Sequence, residues 1–355
     1  MSKKLNVLLQ EALRNRYIMK IAIQSYNNFA QNIAGGVRTK VFNYRESLKS
    51  FSEIECSFFD KWSDRLADYD LIHYFALKPE FYEQVLLAKS LGKKIVFSSI
   101  VPISKACWIR FNIFLGRYLK IHSVYYLNQR ILDNTDAIIT ETKKEKDFIL
   151  QSYKYDENRI FILPNGVATD VQGGDPSIVK KKFGFEKECI VHVSRIDRNK
   201  NQLSVIRAMK DTDIPIVFIG GPDPNDMAYY EQCKAEATSN MFFAGWVYHD
   251  DPLLASTLAA AKVSVLPSYK ETFGNSIYEG LLAGCNVVAT NALSMAEWGL
   301  ENDVISCNPA DVDNIRECIL KAYNNDINPT VIEKVKEEFS FNSIAKKHID
   351  IYQSI

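Results

Sequence analysis

The sequence lacks long apolar runs, paired cysteine motifs and an excess of charge of either sign. No run of 18 or more apolar residues occurs, and the first 18 residues carry charges where a signal peptide needs an apolar core, so we expect neither a membrane span nor export. The seven cysteines are scattered without C-x-x-C spacing, which is typical of reduced cytoplasmic thiols and argues against disulfides and zinc. Because 43 basic residues balance 43 acidic ones, no global field indicates nucleic acid as a partner.

The chain of 355 residues, 47% of them hydrophobic, is long enough for two cores. Short β-rich runs alternate with stretches of helical period, and runs that are apolar on both faces predict parallel sheets covered by helices. The pattern occurs twice. The predicted strands are KIAIQSY from residue 20, DLIHYF from 70, KKIVFSSI from 93, DAIITET from 136 and RIFILPN from 159, then ECIVHVSR from 188, PIVFIGG from 215, MFFAGW from 241, KVSVLPS from 262 and CNVVAT from 285.

A cluster of Gly, Asp, Pro and Ser at residues 166–177, GVATDVQGGDPS, interrupts this pattern and predicts a domain boundary. We therefore expect an α/β chain of two Rossmann-like, doubly wound domains, residues 1–170 and 171–340, facing a cleft. Ligands of such sheets bind beyond the carboxyl ends of the strands.

The segment PSYKETFGNSIYEGLLAG, residues 267–284, indicates such a binding edge. The strand KVSVLPS delivers Glu271 to the edge, and a helix is expected to begin at about Gly274 or Asn275, where unpaired N–H groups would stabilise an anion. Glu279 falls among apolar neighbours in the second turn, where a carboxylate could accept hydrogen bonds from ribose hydroxyls. Two glutamates eight residues apart also occur by chance, and Glu279 could equally be a helix-surface residue.

The order of these residues resembles the GT-B-fold retaining glycosyltransferases of family 4, also called glycosyl transferases group 1. The resemblance covers the chain from about residue 20 to its end. It rests on Glu271, Phe273, Gly274, Asn275, Glu279 and Gly284, on HVSRIDRNKNQ from 192 with Arg195 and Lys200, and on FIGGP from 218, AGW from 244, ILPNGV from 162 and IAGGVRTKV from 33. It implies that the final helix, about 341–355, crosses back to complete the first domain.

The resemblance implies transfer of a sugar from a nucleotide diphosphate sugar to a glycan or lipid-linked acceptor, with retention, in bacterial polysaccharide or lipopolysaccharide assembly. The departing diphosphate needs positive charge, which Arg195 and Lys200 would supply as fixed cations. By similarity to the family, Glu271 contacts the donor sugar and Glu279 the ribose. The amides at the start of the helix, Gly274, Asn275 and Ser276, and those of Gly35 and Gly36 in the first domain, would share the diphosphate charge. Arg195 and Lys200 could also be ordinary surface charges, and Gly35 and Gly36 a simple turn.

Neither a cofactor nor a metal is expected. The segment AGGVRTK lacks the third glycine of G-x-G-x-x-G, so it does not support NAD. Two D-x-D sequences, Asp211-Thr-Asp213 and Asp311-Val-Asp313, sit beside predicted helix ends, where aspartate is common as a cap. We interpret both as structural and expect the arginine and lysine to take the place of a divalent ion.

The acceptor side carries no obvious base. Many family members place a histidine or aspartate after the strand KKIVFSSI, whereas this chain reads SSIVP at 98–102. His73, at the end of DLIHYF, could face the cleft as a substrate-binding residue or could be a buried structural histidine. A front-face mechanism, in which the leaving phosphate takes the acceptor proton, needs no protein base. A catalytically inactive protein that binds glycan or supports a partner transferase is the alternative reading.

Residues 85–132 contain no Asp or Glu but eight Lys and Arg residues, interleaved with aromatic ones such as Trp108, Phe111, Phe114 and Tyr118. This mixture suits a membrane surface rich in anionic lipid, with the protein at its inner face. Alternatively, the aromatic side chains form the domain core and the cations a solvated face.

Overall fold

The computed structural model describes residues 18–25, 36–98, 105–247, 251–291, 293 and 295–355. Gly35, residues 1–17 and the loop residues 99–104 therefore lie outside the described part of the chain. The chain forms two compact units, one of residues 1–166 with 341–355 and one of residues 167–340.

The first unit is built on a parallel sheet with the described strand order β2-β1-β3-β4-β5-β6. Its strands are β1 (Met19–Ser25), β2 (Ile54–Phe58), β3 (Leu71–Phe75), β4 (Lys94–Ser98), β5 (Ala137–Thr140) and β6 (Ile160–Ile162). Its helices are α1 (Gly36–Leu48), α2 (Tyr82–Ser90), α3 (Ala106–Leu119), α4 (Val124–Leu132), α5 (Lys143–Ser152) and the C-terminal α13 (Phe341–Ser354). The order reverses between β1 and β3, which makes the sheet doubly wound.

Alternate residues of each central strand in this sheet enter different cores. In β3, Leu71 and Phe75 join one buried cluster, and Ile72 and Tyr74 join the other. Successive side chains of a strand point to opposite faces, so the sheet is buried on both. The helix α13 supplies Ile349 and other residues to the first of these clusters, so the end of the chain completes the first unit.

The second unit repeats this construction with the described strand order β12-β11-β10-β7-β8-β9, all parallel. Its strands are β7 (Cys189–Val193), β8 (Ile216–Ile219), β9 (Met241–Gly245), β10 (Ala261–Leu266), β11 (Asn286–Thr290) and β12 (Val304–Cys307). Its helices are α6 (Pro176–Phe183), α7 (Gln202–Met209), α8 (Met227–Glu236), α9 (Pro252–Ala260), α10 (Asn275–Leu282), α11 (Val312–Asn324) and α12 (Pro329–Phe339). In β8, Val217 and Phe218 likewise fall in different clusters.

The predicted fold class, two doubly wound α/β sheets with a final helix returning to the first, is confirmed. The cleft between the domains stays a prediction. Two strands that the sequence patterns did not indicate, β2 and β12, lie at sheet edges and are only partly buried. Because an edge strand is not apolar on both faces, it lacks the continuous apolar run by which the central strands were recognised.

Candidate active site at the carboxyl edge of the second sheet

The candidate site lies where the strand order of the second sheet reverses. The first strand of this unit, β7, has β8 on one side and β10 on the other, so the connections after β7 and β10 leave toward opposite faces. Such a switch point leaves a crevice beyond the carboxyl ends of the two strands. The segment after β7 contains Arg195 and Lys200, and the segment after β10 contains Glu271 and Gly274.

Backbone and amide hydrogen bonds hold these two segments together. The side chain of Asn199 donates to the carbonyl of Lys270 at 2.9 Å and accepts from the amide of Lys270 at 2.9 Å. The carbonyl of Asn199 accepts from the amide of Tyr269 at 2.8 Å. The buried Asn201 donates to the carbonyl of Pro267 at 3.1 Å. The two loops are therefore fixed relative to each other before any ligand binds.

Lys200 and Glu271 meet in an ion pair between the lysine Nζ and the carboxylate Oε2. Their side chains are 23% and 14% exposed, so the pair is mostly shielded from water. The hydroxyl of Ser268 lies 3.4 Å from the same carboxylate oxygen. An ammonium held this way is a positioned cation and not a mobile surface lysine.

A single carboxylate, that of Asp197, connects Arg195 to the lysine. Its Oδ2 accepts from Nε of Arg195 at 2.9 Å, and its Oδ1 accepts from the backbone amide of Lys200 at 2.9 Å. The guanidinium also lies 3.7 Å from Asp223, and the arginine side chain is 53% exposed. Arg195 is therefore held at its Nε side while much of its surface faces solvent, where a ligand anion could reach it.

His192 supports the lysine loop from inside the sheet. Its Nε2 lies 3.1 Å from the carbonyl oxygen of Lys200, and its Nδ1 lies 3.3 Å from the hydroxyl of Ser194. Burial lowers the pKa of His192 to about 4, so the ring is neutral at pH 7 and fits a positioning role for the loop.

The depressed pKa of His192 predicts a loss of stability in acid. The unfolded chain takes up the proton at its ordinary pKa of about 6.5 and the folded chain only near 4, so the free energy of unfolding falls as pH drops between these values. The slope is about 1.4 kcal/mol per pH unit for each such histidine. Urea denaturation between pH 5 and 7.5 should show it, and His192→Gln should reduce the slope by one histidine's share. An unchanged slope in the variant would contradict this account.

The helix α10 begins at Asn275 with Gly274 as its N-cap, as the sequence predicts. Gly274 has φ +74°, and a Cβ on it would lie 3.3 Å from Cγ of Glu271, so glycine permits the turn beside the ion pair. Phe273 stacks on Tyr278 with ring centroids 4.1 Å apart, which fixes the turn to the helix. The first amides of an α-helix have no intrahelical acceptors, so this end of α10 favours an anion.

Asn275 and Ser276 lie in the first turn of α10, and Glu279 lies in the second. All three are half-buried. Ile277 and Tyr278 of the same helix are in the core, so the face bearing Glu279 is distinct from the packed face. The structure therefore brings Lys200, Glu271 and the start of α10 together, with Arg195 joined to them through Asp197.

A family model described as "Glycosyl transferases group 1" matches residues 176–339, almost the whole of the second unit. This unit is a glycosyl transferases group 1 domain. The resemblance drawn from the motifs is thereby confirmed for the second unit.

Relatives of known name agree with this assignment of the group 1 domain. A D-inositol 3-phosphate glycosyltransferase of Mycobacteroides abscessus is 28% identical over 169 residues, covering 45% of this chain and 38% of the relative. The match thus spans well under half of the relative's length. Among solved structures, Anabaena HepE in complex with UDP and glucose has a TM-score of 0.68 at 14% identity, covering 95% of this chain and all of HepE. WaaG, a glycosyltransferase of lipopolysaccharide biosynthesis, has a TM-score of 0.60 at 16% identity and covers 94% of this chain and 99% of WaaG.

Three residues of the first unit, Gly35, Gly36 and His73, were also predicted as site residues. Gly35 lies outside the described residues, and Gly36 is the first residue of α1. His73 is fully buried in β3, with Nε2 at 2.9 Å from the Ser98 hydroxyl and Nδ1 near the hydroxyl of Tyr352. Burial lowers the pKa of His73 well below its usual value. Of the two roles considered for His73, this geometry favours the structural one, since both nitrogens are engaged inside the core.

One aspartate of each D-x-D sequence has a structural contact. Asp311 caps α11 by accepting from the amide of Asn314 at 3.0 Å, and Asp213 pairs with Lys187. Among the described residues, no group of three or more His, Cys, Asp or Glu is arranged to hold a metal ion.

Two residues of the described site, and one ion pair of the first unit, escaped the sequence patterns. Asp197 and Asn199 lie within the quoted segment RIDRNKN, but nothing in the spacing shows which polar residue turns inward to join the loops. In the first unit, Lys40 pairs with Glu141 at 2.5 Å, and both line a small cavity with Asn165. Lys40 and Glu141 are 101 positions apart, and only the sheet order brings them together.

Four aromatic residues of 85–132 are on the surface, whereas Phe97 is buried and Tyr125 packs against the core. Trp108, Phe111, Phe114 and Tyr118 of α3 are each at least half exposed. They recur every three or four residues and so form one face of the helix, which we call the α3 stripe. None of the helices in the described residues is long and apolar enough to span a bilayer.

Proposed function

We propose that the chain is a glycosyltransferase that moves a sugar from a nucleotide diphosphate sugar to a glycan or lipid-linked acceptor. One observation carries the proposal: the Lys200–Glu271 pair lies beside Gly274 at the start of α10, with Arg195 joined to it through Asp197. Two cations, two carboxylates and a helix N-terminus at the carboxyl edge of the sheet support the proposal, because ligands of doubly wound sheets bind at that edge.

The proposed roles follow from how charge develops in the reaction. As the bond between the sugar and the diphosphate breaks, negative charge grows on the leaving oxygens, and fixed donors that meet this charge lower the barrier. Lys200 and Arg195 would bind the diphosphate directly, and the first amides of α10 would add their partial positive charge. No metal ion enters this scheme. Glu271 would accept hydrogen bonds from donor-sugar hydroxyls, and Glu279 would accept from the ribose.

In this scheme, the leaving phosphate takes the proton of the acceptor hydroxyl. His73 is enclosed in the core of the first unit, so we do not assign it to proton transfer. The leaving phosphate oxygen would take the proton from the attacking hydroxyl on the same face of the sugar, which would retain the anomeric configuration. A protein base is then unnecessary.

The structural relatives suggest the class of donor and of pathway. HepE binds UDP and glucose, and WaaG acts in lipopolysaccharide biosynthesis. By analogy, we propose a uridine diphosphate sugar as the first donor to test and a bacterial cell-surface polysaccharide or lipopolysaccharide as the product class. The name of the M. abscessus relative offers D-inositol 3-phosphate as the contrasting, water-soluble acceptor.

The α3 stripe supports a lipid-linked acceptor over a soluble one. Exposed aromatic side chains in a segment free of carboxylates suit the interface of an anionic membrane, where rings sit at the headgroup level. We therefore propose that the enzyme works as a peripheral protein on the cytoplasmic face of a membrane.

A thermal-shift panel of UDP, GDP, ADP and CMP tests the donor site. A ligand that binds only the native state at 100 times its Kd adds about 2.7 kcal/mol to stability, so the matching nucleotide should raise the melting temperature by several degrees. UDP is expected to give the largest rise, and Lys200→Ala should abolish it. If no nucleotide shifts the wild type and no nucleotide sugar is hydrolysed, the inactive, glycan-binding alternative replaces the transferase.

A further inference from the structure

A second concave site lies in the first unit, between α3 and the end of α5. The groove has a volume of about 550 Å³. Its lining includes Arg110, Phe114, Arg117 and Tyr118 from α3 and the segment 150–155. Phe114 and Tyr118 also belong to the α3 stripe, so the groove opens directly beside that apolar surface.

The groove is strongly positive. Arg110, Arg117 and Lys154 line it, and in the described part of the chain no Asp or Glu does. None of these three cations forms an ion pair with a described residue. The lining also includes Tyr118, Tyr153 and Tyr155. Cations without carboxylate partners, next to rings, match an anionic oxygen group attached to an apolar body.

The floor of the groove is held in place by Gln129. Its side-chain amide donates to the carbonyl of Lys154 at 2.9 Å, and its carbonyl accepts from the amide of Lys154 at 2.9 Å. Gln129 also donates to Asp133 at 2.9 Å, and Asp133 is not among the residues that line the groove. The turn that carries Lys154 is thus fixed without a ligand, which reduces the entropic cost of binding one.

The groove lies away from the edge of the sheet at which substrates bind. Helix α5 follows the carboxyl end of β5 and runs back along the sheet, and residues 153–159 then lead into the amino end of β6. The segment 150–155 therefore lies toward the amino ends of the strands, opposite the edge where ligands of doubly wound sheets bind. A ligand in this groove would not be the group that accepts the sugar.

We propose that this groove binds the phosphate headgroup of an anionic membrane lipid, while the α3 stripe enters the interface beside it. This inference rests on the proposed membrane association and gives it a defined contact. The arginines would each donate to phosphate oxygens in the geometry that guanidinium groups favour. Lys154 would add charge from the turn that Gln129 holds. The groove would thus orient the first unit on the membrane through one lipid.

The test is vesicle binding by the full chain with paired arginine variants. Wild type should bind vesicles of phosphatidylglycerol and phosphatidylcholine more tightly than vesicles of phosphatidylcholine alone. Arg110→Gln/Arg117→Gln should weaken the first binding about thirtyfold, since each cation near an anionic surface contributes about a fivefold factor. Lys181→Gln/Lys182→Gln, which removes the same charge from exposed residues of α6 in the second unit, is the control and should change binding less than threefold.

Further variants separate the groove from simpler explanations. Arg110→Lys/Arg117→Lys keeps the charge but not the guanidinium geometry, so it should recover only part of the affinity, whereas simple surface charge would be replaced in full. Partial recovery also shows that the glutamine pair did not act through misfolding. Equal weakening by the arginine and control pairs would overturn the proposal. So would tight binding of soluble glycerol 3-phosphate that depends on both arginines while vesicle binding does not.

The outcome is distinguishable from failure of the transferase proposal or of membrane association. The nucleotide-induced thermal shift reports on the second unit and should be the same in wild type and the arginine variants. If the wild type binds no vesicle while UDP still raises its melting temperature, the proposals of membrane association and of the groove both fail. The proposed donor site is then still supported. If wild type binds anionic vesicles and the arginine pair binds them equally well, the groove proposal alone fails.

Discussion

Lys200→Ala is expected to lower turnover of the nucleotide sugar by about 10²–10³-fold, the range found when one preorganised donor to a developing negative charge is removed. Of the two proposed cations, the lysine is the more enclosed, 23% exposed against 53% for Arg195, and it is held by its pair with Glu271 and by Asp197 at its backbone amide. Its loss removes charge that would oppose the leaving diphosphate. It also leaves the shielded Glu271 carboxylate without its partner. The negative charge of that carboxylate would then repel the substrate phosphates.

Three further variants test whether the effect of Lys200→Ala comes from the lost charge at this site or from loss of folding. Lys187→Ala removes another lysine of the second unit, an exposed one paired with Asp213, and should keep near wild-type turnover. Lys200→Arg keeps the charge and should retain more activity than alanine. Since breaking one side of a shielded pair can destabilise a fold, Lys200→Met/Glu271→Gln removes both charges together. If that double variant folds and turns over donor at the wild-type rate, the pair has no part in the reaction.

The sequence was sufficient for the central strands and for the turn at Gly274, because both depend on local signals. An apolar run between polar segments marks a buried parallel strand, and the small polar turn Gly274-Asn275-Ser276 before an apolar helical period marks a helix start. The motif segments around Arg195, Lys200 and Glu271 were recognised by their order along the chain. That they meet follows from the adjacency of β7 and β10, which the doubly wound order supplies.

The environment of His73, the exposure of the α3 aromatic residues and the groove could not be predicted, because they depend on contacts between residues far apart in the sequence. Whether His73 faced a cleft or the core depended on Tyr352, which lies 279 positions away. The aromatic residues of α3 fitted a core and a membrane surface equally well by spacing, and only their exposure separated the two. Lys154 and Arg117 share a groove because α3 and α5 lie side by side, which periodicity cannot reveal.

Gly274→Ala is the second variant with a large expected effect. The residue has φ +74°, so any side chain there costs about 1–2 kcal/mol of backbone strain. A Cβ would also lie 2.8 Å from Cδ1 of Ile277 and 3.3 Å from Cγ of Glu271. Because Ile277 is buried, relief of the clash should move the turn, and with it the carboxylate that pairs with Lys200. A displacement of about 1 Å in a catalytic group can lower turnover about 10²-fold.

Gly184→Ala is the matched control for that variant. Gly184 has the same φ of +74° at the end of α6, but a Cβ there would meet nothing within 4 Å. Both variants should lose stability to backbone strain, and Gly274→Ala should lose more in urea denaturation because of the clash with Ile277. Only Gly274→Ala should also lose turnover of the nucleotide sugar when assayed well below its melting temperature. If the two lose turnover equally, the effect comes from stability alone. If Gly274→Ala keeps full turnover, the turn does not position Glu271 for the reaction.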